Sequence, residues 1–312
     1  MRNIYIIGLL ISLFLTIACE KEDALSPSGY GRDWKIIEEP TTDDPVDWVR
    51  YEIYKNYGIS TYYNDTLGFE KRTDMSGNDY IFYETLKVYY MPGSSKPDGI
   101  YDLLEDHSVL EPILTYFSKH VFPRFGNADL LPSFLFVDKI WSDKWRDSEL
   151  NDYFGYNTMV FKAVNGFASL PVEEQQAYAN SFISAYFGNM LASSTHAAWR
   201  DKFLGISKAL NPNKPDLYST ELNYGTLLNA YQAFKGTNFT EKEQLGFIAS
   251  VKNSRGQDIT PTIALDLGSY VEAVLTCTQA EFQAMYGKYD GVMKKFKMMR
   301  EQLKALKFVL ED

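Results

Sequence analysis

Residues 171–193 read PVEEQQAYANSFISAYFGNMLAS, and here the chain changes from strand-forming to helix-forming sequence. Pro171 followed by Glu173 and Glu174 is typical of a helix start, because proline fits the first turn and carboxylates offset the positive end of the helix dipole. The second half of the stretch reads as an amphipathic core helix. Gly188 in its middle costs about 1 kcal/mol relative to alanine, which predicts that another element packs closely there.

Before this point the sequence alternates helices and short strands. Apolar residues at helical spacing predict helices in DWVRYEIYKNYG, ending at Gly58, and in HSVLEPILTYFSKHVF. Segments rich in β-branched and aromatic residues predict strands in ISTYYND, YIFYETLKVYYM, SFLFVDKIW and TMVFKAV. Residues 65–79, DTLGFEKRTDMSGND, predict a polar turn region between the first two of these strands.

After residue 193 nearly every segment predicts a helix. The segments are AAWRDKFLGISKAL, TELNYGTLLNAYQAF, EKEQLGFIASV, TIALDLGSYVEAVL, QAEFQAMYG and the C-terminal run. A strand-rich first half and a helical second half predict an α+β fold. We expect one domain over residues 47–312, with a small strand-rich lobe (about 47–165) followed by a mostly helical lobe (about 166–312).

The first 18 residues have the layout of a secretory signal peptide. Arg2 supplies a positive start, a short apolar run follows, and the small residue Ala18 precedes Cys19. A cysteine at this point is typical of a bacterial lipobox, although Thr16 stands where leucine is preferred. We therefore expect Cys19 to be lipidated, since buried acyl chains anchor a protein stably; the alternative is an ordinary secreted protein.

Residues 19–46 are rich in charged residues, Ser, Gly and Pro, which predicts a flexible tether. Glu20, Glu22 and Asp23 resemble the export signal of surface-displayed lipoproteins in some Gram-negative bacteria. We therefore expect an outer-membrane location, facing the cell surface.

Composition excludes some classes of function. A net charge of −10 makes nucleic acid an unfavourable partner. The high aromatic content, with 23 Tyr and 20 Phe, suits either a large core or an extracellular surface that binds sugars or peptides, and favours the core. Cys277 lies in an apolar segment and is expected to be buried. The basic C-terminal run is expected to form the solvated face of an amphipathic helix: Lys294, Lys295, Lys297, Arg300, Lys304 and Lys307.

Motifs for catalysis are absent from the sequence. The three histidines, His107, His120 and His196, do not have the spacing of a helical zinc motif. The sequence also lacks a nucleophile elbow, a Gly-rich phosphate loop and EF-hand spacing. Carboxylates are plentiful, so a glycosidase pair stays open, but no pattern places two of them across a cleft.

The order of segments nevertheless resembles a known family. The segments VRYEIYKNYGISTYYND, SVLEPILTYFSKHVFPRFG, SFLFVDKIW and TMVFKAV precede the helix quoted above, and GFIAS (residues 246–250) follows it. This order is similar to that of the zinc-binding metallopeptidase lipoproteins found beside TonB-dependent nutrient-uptake systems of Gram-negative bacteria. The resemblance covers about residues 47–310 and implies a zincin-like fold.

The zinc-binding residues of that family are missing here. Its zinc helix carries a pattern like His-Glu-Phe-Ala-His-Ile-Leu-His, and the matching residues 185–192 read AYFGNMLA. Its later acidic pattern, like Glu-Asp-Phe-Ala-Glu, matches residues 265–269, where only Asp266 is retained. The resemblance therefore implies a peptidase-like protein with no metal cofactor and a vestigial cleft at Ala185, Tyr186, Asn189, Ala192 and Ser269.

Three classes of function follow from these observations. The first is a binding accessory to a nutrient-uptake system, which holds a peptide or glycan over Tyr186 and Asn189 for a TonB-dependent transporter. The second is an active zinc metallopeptidase with displaced ligands, or another enzyme that uses carboxylates. The third is a structural subunit of an outer-membrane complex, with exposed Tyr and Phe forming a flat patch instead of a cleft.

Overall fold

The computed structural model describes residues 33–86, 88, 101–126, 133–141, 149–155, 158–210, 218, 241–253 and 255–310. The signal peptide, Cys19, most of the tether and the helix expected in TELNYGTLLNAYQAF lie outside these residues. The contacts within the chain separate residues 35–312, as one compact unit, from residues 1–34. A segment able to span a bilayer is not found among the described helices.

The described part of the chain contains seven α-helices and eleven short strands. The helices are α1 (Pro45–Tyr57), α2 (Leu110–His120), α3 (Val172–Ala192), α4 (Ala197–Leu210), α5 (Ile263–Thr276), α6 (Gln279–Tyr286) and α7 (Asp290–Ala305). The strands are β1 (Thr61–Tyr62), β2 (Thr66–Thr73), β3 (Asp79–Thr85), β4 (Tyr101–Asp102), β5 (Ser133–Val137), β6 (Lys139–Trp141), β7 (Glu149–Leu150), β8 (Asp152–Phe154), β9 (Thr158–Lys162), β10 (Val251–Lys252) and β11 (Asp258–Ile259).

A four-stranded mixed sheet forms the centre of the strand-rich half. Its order is β1-β5-β9-β8, with β1, β5 and β9 parallel and β8 antiparallel at the edge. All five residues of β5 are buried, as expected for an apolar strand that is covered on both faces. Phe134 and Phe136 point to the helical side, while Leu135 and Val137 point into a second, smaller cluster.

The helices cover one face of this sheet. Phe182 of α3 lies within 4.8–6.4 Å, between ring centroids, of Phe117 on α2 and of Phe134, Phe136 and Phe161 on the sheet. Helix α5 then packs against α3, and α7 packs against α4 and α5. The α+β class expected from the sequence is confirmed.

Two local expectations are wrong. Residues 65–79 are not only a turn region, because β2 occupies residues 66–73 and pairs with β3 in register Phe69↔Tyr83. Residues 241–251 do not form an α-helix: a short 3₁₀ turn, Lys242–Leu245, ends at Gly246, whose φ of 74° stops helical propagation.

The compact unit includes part of the segment that the sequence places in the tether. The Ser60 hydroxyl donates to the Lys35 carbonyl oxygen at 2.7 Å, and the Trp48 indole donates to the Thr42 carbonyl oxygen at 2.9 Å. Asp44 caps α1 by accepting from the Val46 backbone N–H. Residues 35–46 therefore contact the domain that follows them.

Candidate functional site

Helices α3 and α5 cross with their backbones in direct contact. A Cβ atom built on Gly188 of α3 would lie 2.7 Å from the Ala264 carbonyl oxygen and 3.0 Å from Gly268 Cα on α5. A Cβ atom on Gly268 would lie 3.1 Å from the Ser184 carbonyl oxygen. The close approach predicted at Gly188 is confirmed, and it accounts for a glycine in the middle of a long helix.

Three of the five positions of the expected vestigial cleft lie on the face of α3 that contains Gly188. Ala185, Asn189 and Ala192 share a face of α3 with Gly188, since their spacing is that of successive helical turns. Ser269 directly follows Gly268 on α5. All four side chains are half-buried.

The polar groups at these positions bond mainly within their own helices. The Asn189 amide donates to the Ala185 carbonyl oxygen at 2.9 Å and lies 3.5 Å from a carboxylate oxygen of Asp152 on the edge strand β8. The Ser269 hydroxyl donates to the Asp266 carbonyl oxygen at 2.8 Å. Burial raises the pKa of Asp152, with the Asn189 contact acting in the opposite direction.

Tyr186, which the resemblance matches to a general-base glutamate, belongs to the aromatic core. Its side chain is 1% exposed and lies against the rings of Phe125, Phe134, Phe154 and Phe187, at centroid distances of 5.1–6.4 Å. Burial raises the pKa of its hydroxyl. The ring therefore fills the space between α3 and the sheet instead of lining an open floor. The assignment of the five positions as a vestigial peptidase cleft stays a prediction.

Two of the histidines, His107 and His120, make their contacts with residues outside α3 and α5. His107 Nε2 is 2.7 Å from a carboxylate oxygen of Asp44 and stacks on Tyr63, while His120 contacts Tyr116. The hydrogen bond to His107 lowers the pKa of Asp44.

Within the described ranges, no three His, Cys, Asp or Glu side chains converge to hold a metal ion. The side chains at the crossing do not fit zinc, because alanine, asparagine and serine lack its preferred donors.

A buried ion pair lies between α5 and α7. The Lys295 ammonium donates to Asp266 Oδ2 at 2.6 Å, and both side chains are fully buried. The Tyr218 hydroxyl donates to the same oxygen at 2.9 Å. The ammonium also lies 4.7 Å and 4.9 Å from the ring centroids of Phe203 and Phe247, close enough for cation–π attraction.

Burial acts on both charges of this pair. It raises the pKa of Asp266 and lowers the pKa of Lys295, while the attraction between the two groups opposes both changes. Because the pair is fully buried, it connects α5 and α7 inside the chain.

The expectation that Lys295 lies on a solvated face is therefore wrong. Its spacing contained the evidence: Val292, Lys295, Met299 and Leu303 follow the i, i+3, i+7 pattern of a buried stripe. Sequence reasoning also gave no reason to pair Lys295 with Asp266, since the two residues are far apart in the chain.

Strands β2 and β3 form a two-stranded ribbon with apolar side chains on its outside. Phe69 pairs with Tyr83, and Ile81 is the next residue along the same face. Phe69 is 67% exposed, Tyr83 is 57% exposed and Ile81 is 56% exposed. We call this set the ribbon face. Met75, in the turn that joins the strands, is fully exposed.

The opposite face of the ribbon is half-buried and held by polar contacts. The Arg72 guanidinium lies over the Phe82 ring and forms an ion pair with Glu70. Asp74 stabilises the turn by accepting from the backbone N–H groups of Ser76 and Asn78 at 2.8 Å. The ribbon is thus an ordered element whose exposed face carries the three apolar side chains of the ribbon face beside Lys71, Thr73 and Asp79.

Comparisons with known proteins reveal no relative of this chain. No protein-family model, curated protein or solved structure matches this chain. The features that bear on function are therefore those of the chain itself, chiefly the filled helix crossing and the ribbon face.

Proposed function

We propose that this chain is a lipid-anchored accessory protein of an outer-membrane nutrient-uptake system. In this proposal it is peptidase-like in fold, does not hydrolyse peptides, and docks to an integral outer-membrane protein through the ribbon face while it holds a peptide or glycan ligand. The single observation that carries the proposal is the ribbon face of Phe69, Ile81 and Tyr83, an exposed apolar surface on a two-stranded ribbon.

The zincin-like part of the proposal is supported by the order of elements. Helix α1, a parallel sheet with an antiparallel edge strand and helix α3 follow one another as the family resemblance implies. Helix α5 crosses α3 at Gly188 and Gly268, within the segments that the resemblance matches to the zinc helix and to the later acidic pattern. Such a crossing would be needed to bring those two segments together.

The absence of hydrolysis is supported by the side chains at that crossing. Under the resemblance, Ala185, Asn189 and Ala192 replace the histidines of the zinc helix. Buried Tyr186 replaces its general-base glutamate. Metal-dependent hydrolysis needs a metal to activate water and a base to accept its proton. These residues supply neither function.

A docking role is supported by the physics of an isolated ribbon. Two-stranded ribbons are marginally stable in water, and large exposed apolar side chains on a strand favour association. Among the described residues, β2 and β3 pair only with each other, and the edge of a two-stranded ribbon is a surface to which another strand can add. An extended segment of a partner could add to that edge and cover the ribbon face.

The charge of the ribbon favours a protein partner over a lipid surface. Residues 66–85 contain four carboxylates and two cationic groups, and Lys71 is already paired with Asp79. An acidic ribbon is repelled by anionic headgroups, and a second copy of a chain with a net charge of −10 would be repelled as well. A partner with apolar and basic side chains is complementary.

Two variants of the full chain test the docking role in native membranes. One carries Phe69→Ser, Ile81→Ser and Tyr83→Ser. The control carries Val172→Ser, Met285→Ser and Val309→Ser, at similarly exposed apolar positions outside the ribbon. We expect the first variant to recover at least about tenfold less of an integral outer-membrane partner by co-purification than the parent chain does. The control variant should recover as much partner as the parent chain.

Equal recovery of the partner with both variants would overturn the docking role. A separate measurement tests the lack of hydrolysis: the chain is incubated with zinc, excess metal is removed, and bound zinc and peptide cleavage are determined. We expect neither stoichiometric zinc nor cleavage. One zinc per chain with cleavage would favour the active metallopeptidase instead.

A further inference from the structure

Aromatic rings enclose the buried ion pair between α5 and α7. Four rings have their centroids 4.7–5.8 Å from the Lys295 ammonium: Phe203, Tyr218, Phe247 and Tyr270. The side chains of Lys295 and Asp266 are 0% exposed, so solvent does not reach either charge. A charge that is kept from water is costly, and the uncharged forms of both groups are therefore favoured. This agrees with the raised pKa of Asp266 and the lowered pKa of Lys295.

The polar contacts of the pair converge on one carboxylate oxygen. The Lys295 ammonium, at 2.6 Å, and the Tyr218 hydroxyl, at 2.9 Å, both donate to Asp266 Oδ2. The ammonium also lies 3.3 Å from the Tyr218 oxygen, so this hydroxyl contacts both the nitrogen and Oδ2. Among the described residues, buried Asp266 Oδ1 has no hydrogen-bond partner. The Tyr270 hydroxyl donates to the Gly246 carbonyl oxygen at 3.0 Å, which leaves Tyr218 as the hydroxyl placed to pass a proton between amine and carboxyl group.

We propose that Asp266 and Lys295 are a modification site, at which the folded chain slowly joins the two side chains by an amide bond. The packing of α5 against α7 holds the carboxyl group and the amine in contact, so the reaction is intramolecular. The amide carries no charge, and its formation removes the cost of keeping two ions away from water. A neutral amide oxygen is also less costly than a carboxylate oxygen to leave without a partner.

The reaction is balanced by the release of one water. A proton first passes from the Lys295 ammonium to Asp266 Oδ2 along their hydrogen bond, which leaves a neutral amine and a carboxylic acid. The electron pair of the amine then attacks Asp266 Cγ and forms the Cγ–Nζ bond. A second proton passes from the nitrogen to Oδ2 through the Tyr218 hydroxyl as the Cγ–Oδ2 bond breaks, and Oδ2 leaves as water. Oδ1 remains as the carbonyl oxygen of the amide.

An exposed ion pair on α7 shows why burial matters for this reaction. Lys294 Nζ lies 2.6 Å from Asp290 Oδ2, the same distance as in the buried pair, but the two side chains are 62% and 80% exposed. Water solvates both charges there, which favours the ionised forms over an amine and a carboxylic acid. We therefore expect no amide at the exposed pair, which serves as a control within the same chain.

An amide at the buried site would close a loop of the chain without a disulfide. It would join residues that are 29 positions apart, and it would constrain the unfolded chain as a disulfide does. Cys277, the cysteine of the described residues, is a free thiol. It is half-exposed, so the expectation that it is buried is wrong, because α5 ends at Thr276 and leaves the thiol at the C-terminal cap.

Mass spectrometry of the full chain tests the amide directly. The freshly purified chain holds the ion pair, and samples are taken while it is incubated in the folded state and, separately, in urea. Trypsin does not cleave after an acylated lysine, so the amide would join residues 256–288 to residues 295–297 in one branched peptide. This peptide is lighter by one water than its two parts. We expect it to accumulate at least about tenfold more in the folded chain than in urea, because only folding holds the two groups in contact.

A variant of the lysine separates this reaction from another that loses water. Asp266 could also close a cyclic imide with its own backbone, and that reaction needs no lysine. Lys295→Arg keeps a positive charge but lacks the amine, so it should abolish both the branched peptide and the loss of water. The matched control Lys294→Arg, at the exposed pair, should form the branched peptide as the parent chain does.

Tyr218→Phe tests the proton transfer, because it keeps the ring and removes the hydroxyl. We expect the branched peptide to form at least about tenfold more slowly in this variant, and formation at the parent rate would overturn the role of the hydroxyl. The inference as a whole would be overturned by absence of the branched peptide from the folded parent chain, by equal accumulation in urea, or by a loss of water that persists in Lys295→Arg. None of these measurements involves an outer-membrane partner, so their result is independent of the docking role.

Discussion

The helix crossing and the ribbon both contain a tyrosine, but this tyrosine is buried at the crossing and exposed on the ribbon. At the crossing, Tyr186 is 1% exposed and is surrounded by phenylalanine rings. On the ribbon, Tyr83 is 57% exposed and lies beside exposed Phe69 and Ile81. Tyr186, which was expected to lie on the floor of a ligand-binding cleft, is part of the core. On the ribbon face, Phe69 lies in a segment expected to be a polar turn, and Ile81 and Tyr83 lie in a segment expected to be a strand. Among these residues, the exposed apolar surface therefore lies on the ribbon and not at the helix crossing.

The buried ion pair is expected to give the largest effect on stability in the interior. Asp266→Ala leaves the Lys295 ammonium buried without its carboxylate and should reduce the free energy of unfolding by about 3–5 kcal/mol. The double variant Asp266→Leu with Lys295→Met should recover most of this loss, because no buried charge remains. Urea denaturation of both variants checks this. A single variant within about 1 kcal/mol of the parent chain would show that the pair is not enclosed.

Truncating the two tyrosines tests the comparison directly. Tyr186→Ala should cost about 3–5 kcal/mol, since it opens a cavity in the aromatic core. Tyr83→Ala should change stability by less than about 0.5 kcal/mol, because little of its ring is buried. Both values come from chemical denaturation. Similar losses at the two positions would mean that the ribbon face is covered within the chain itself.

The glycine contact offers a smaller and more local test. Gly188→Ala places a Cβ atom 2.7 Å from the Ala264 carbonyl oxygen and should destabilise the chain by about 1–3 kcal/mol, despite the better helix propensity of alanine. Gly205→Ala on α4 is the control, because a Cβ atom there meets nothing within 4 Å. It should stabilise the chain by about 0.5–1 kcal/mol. A stabilising Gly188→Ala would refute a close crossing.

The smallest expected effect is a pH dependence at the start of α1. The hydrogen bond to His107 holds the pKa of Asp44 below its ordinary value of 3.8. Because the folded pKa is lower than the unfolded one, the stabilisation is complete above about pH 5 and is lost as the pH falls through the folded pKa. Asp44→Asn keeps a capping side chain and should lose less than about 1 kcal/mol at pH 7, and this loss should shrink as the pH falls below about 4. A loss that stays the same as the pH falls would rule out this linkage.

Much of the local structure could be predicted from the sequence because it depends on neighbouring residues. Gly58 ends α1 with a φ of 67°, α3 begins directly after Pro171, and Gly188 marks a close approach. The α+β class follows from the same local patterns. These features need only capping, periodicity and residue size.

The features missed from the sequence depend on distant contacts. Strand β2 contains Gly68 and three consecutive charged residues, so pairing with β3 and not intrinsic propensity makes it a strand. Lys295 is buried because Asp266, 29 residues earlier, neutralises it. The filling of the crossing by Tyr186 depends on Phe125, Phe134 and Phe154, from three separate segments. No local pattern encodes such pairings.

Site-specific photo-crosslinking in intact cells tests the central claim most directly. A photoreactive residue is placed at position 83 on the ribbon face and, as a control, at position 285, which is 52% exposed on α6. We expect position 83 to cross-link to one integral outer-membrane protein and position 285 not to cross-link to it. The substitution Ile81→Asp should abolish the cross-link from position 83. Linking only to lipid or to a second copy of the chain, or equal linking from both positions, would contradict it.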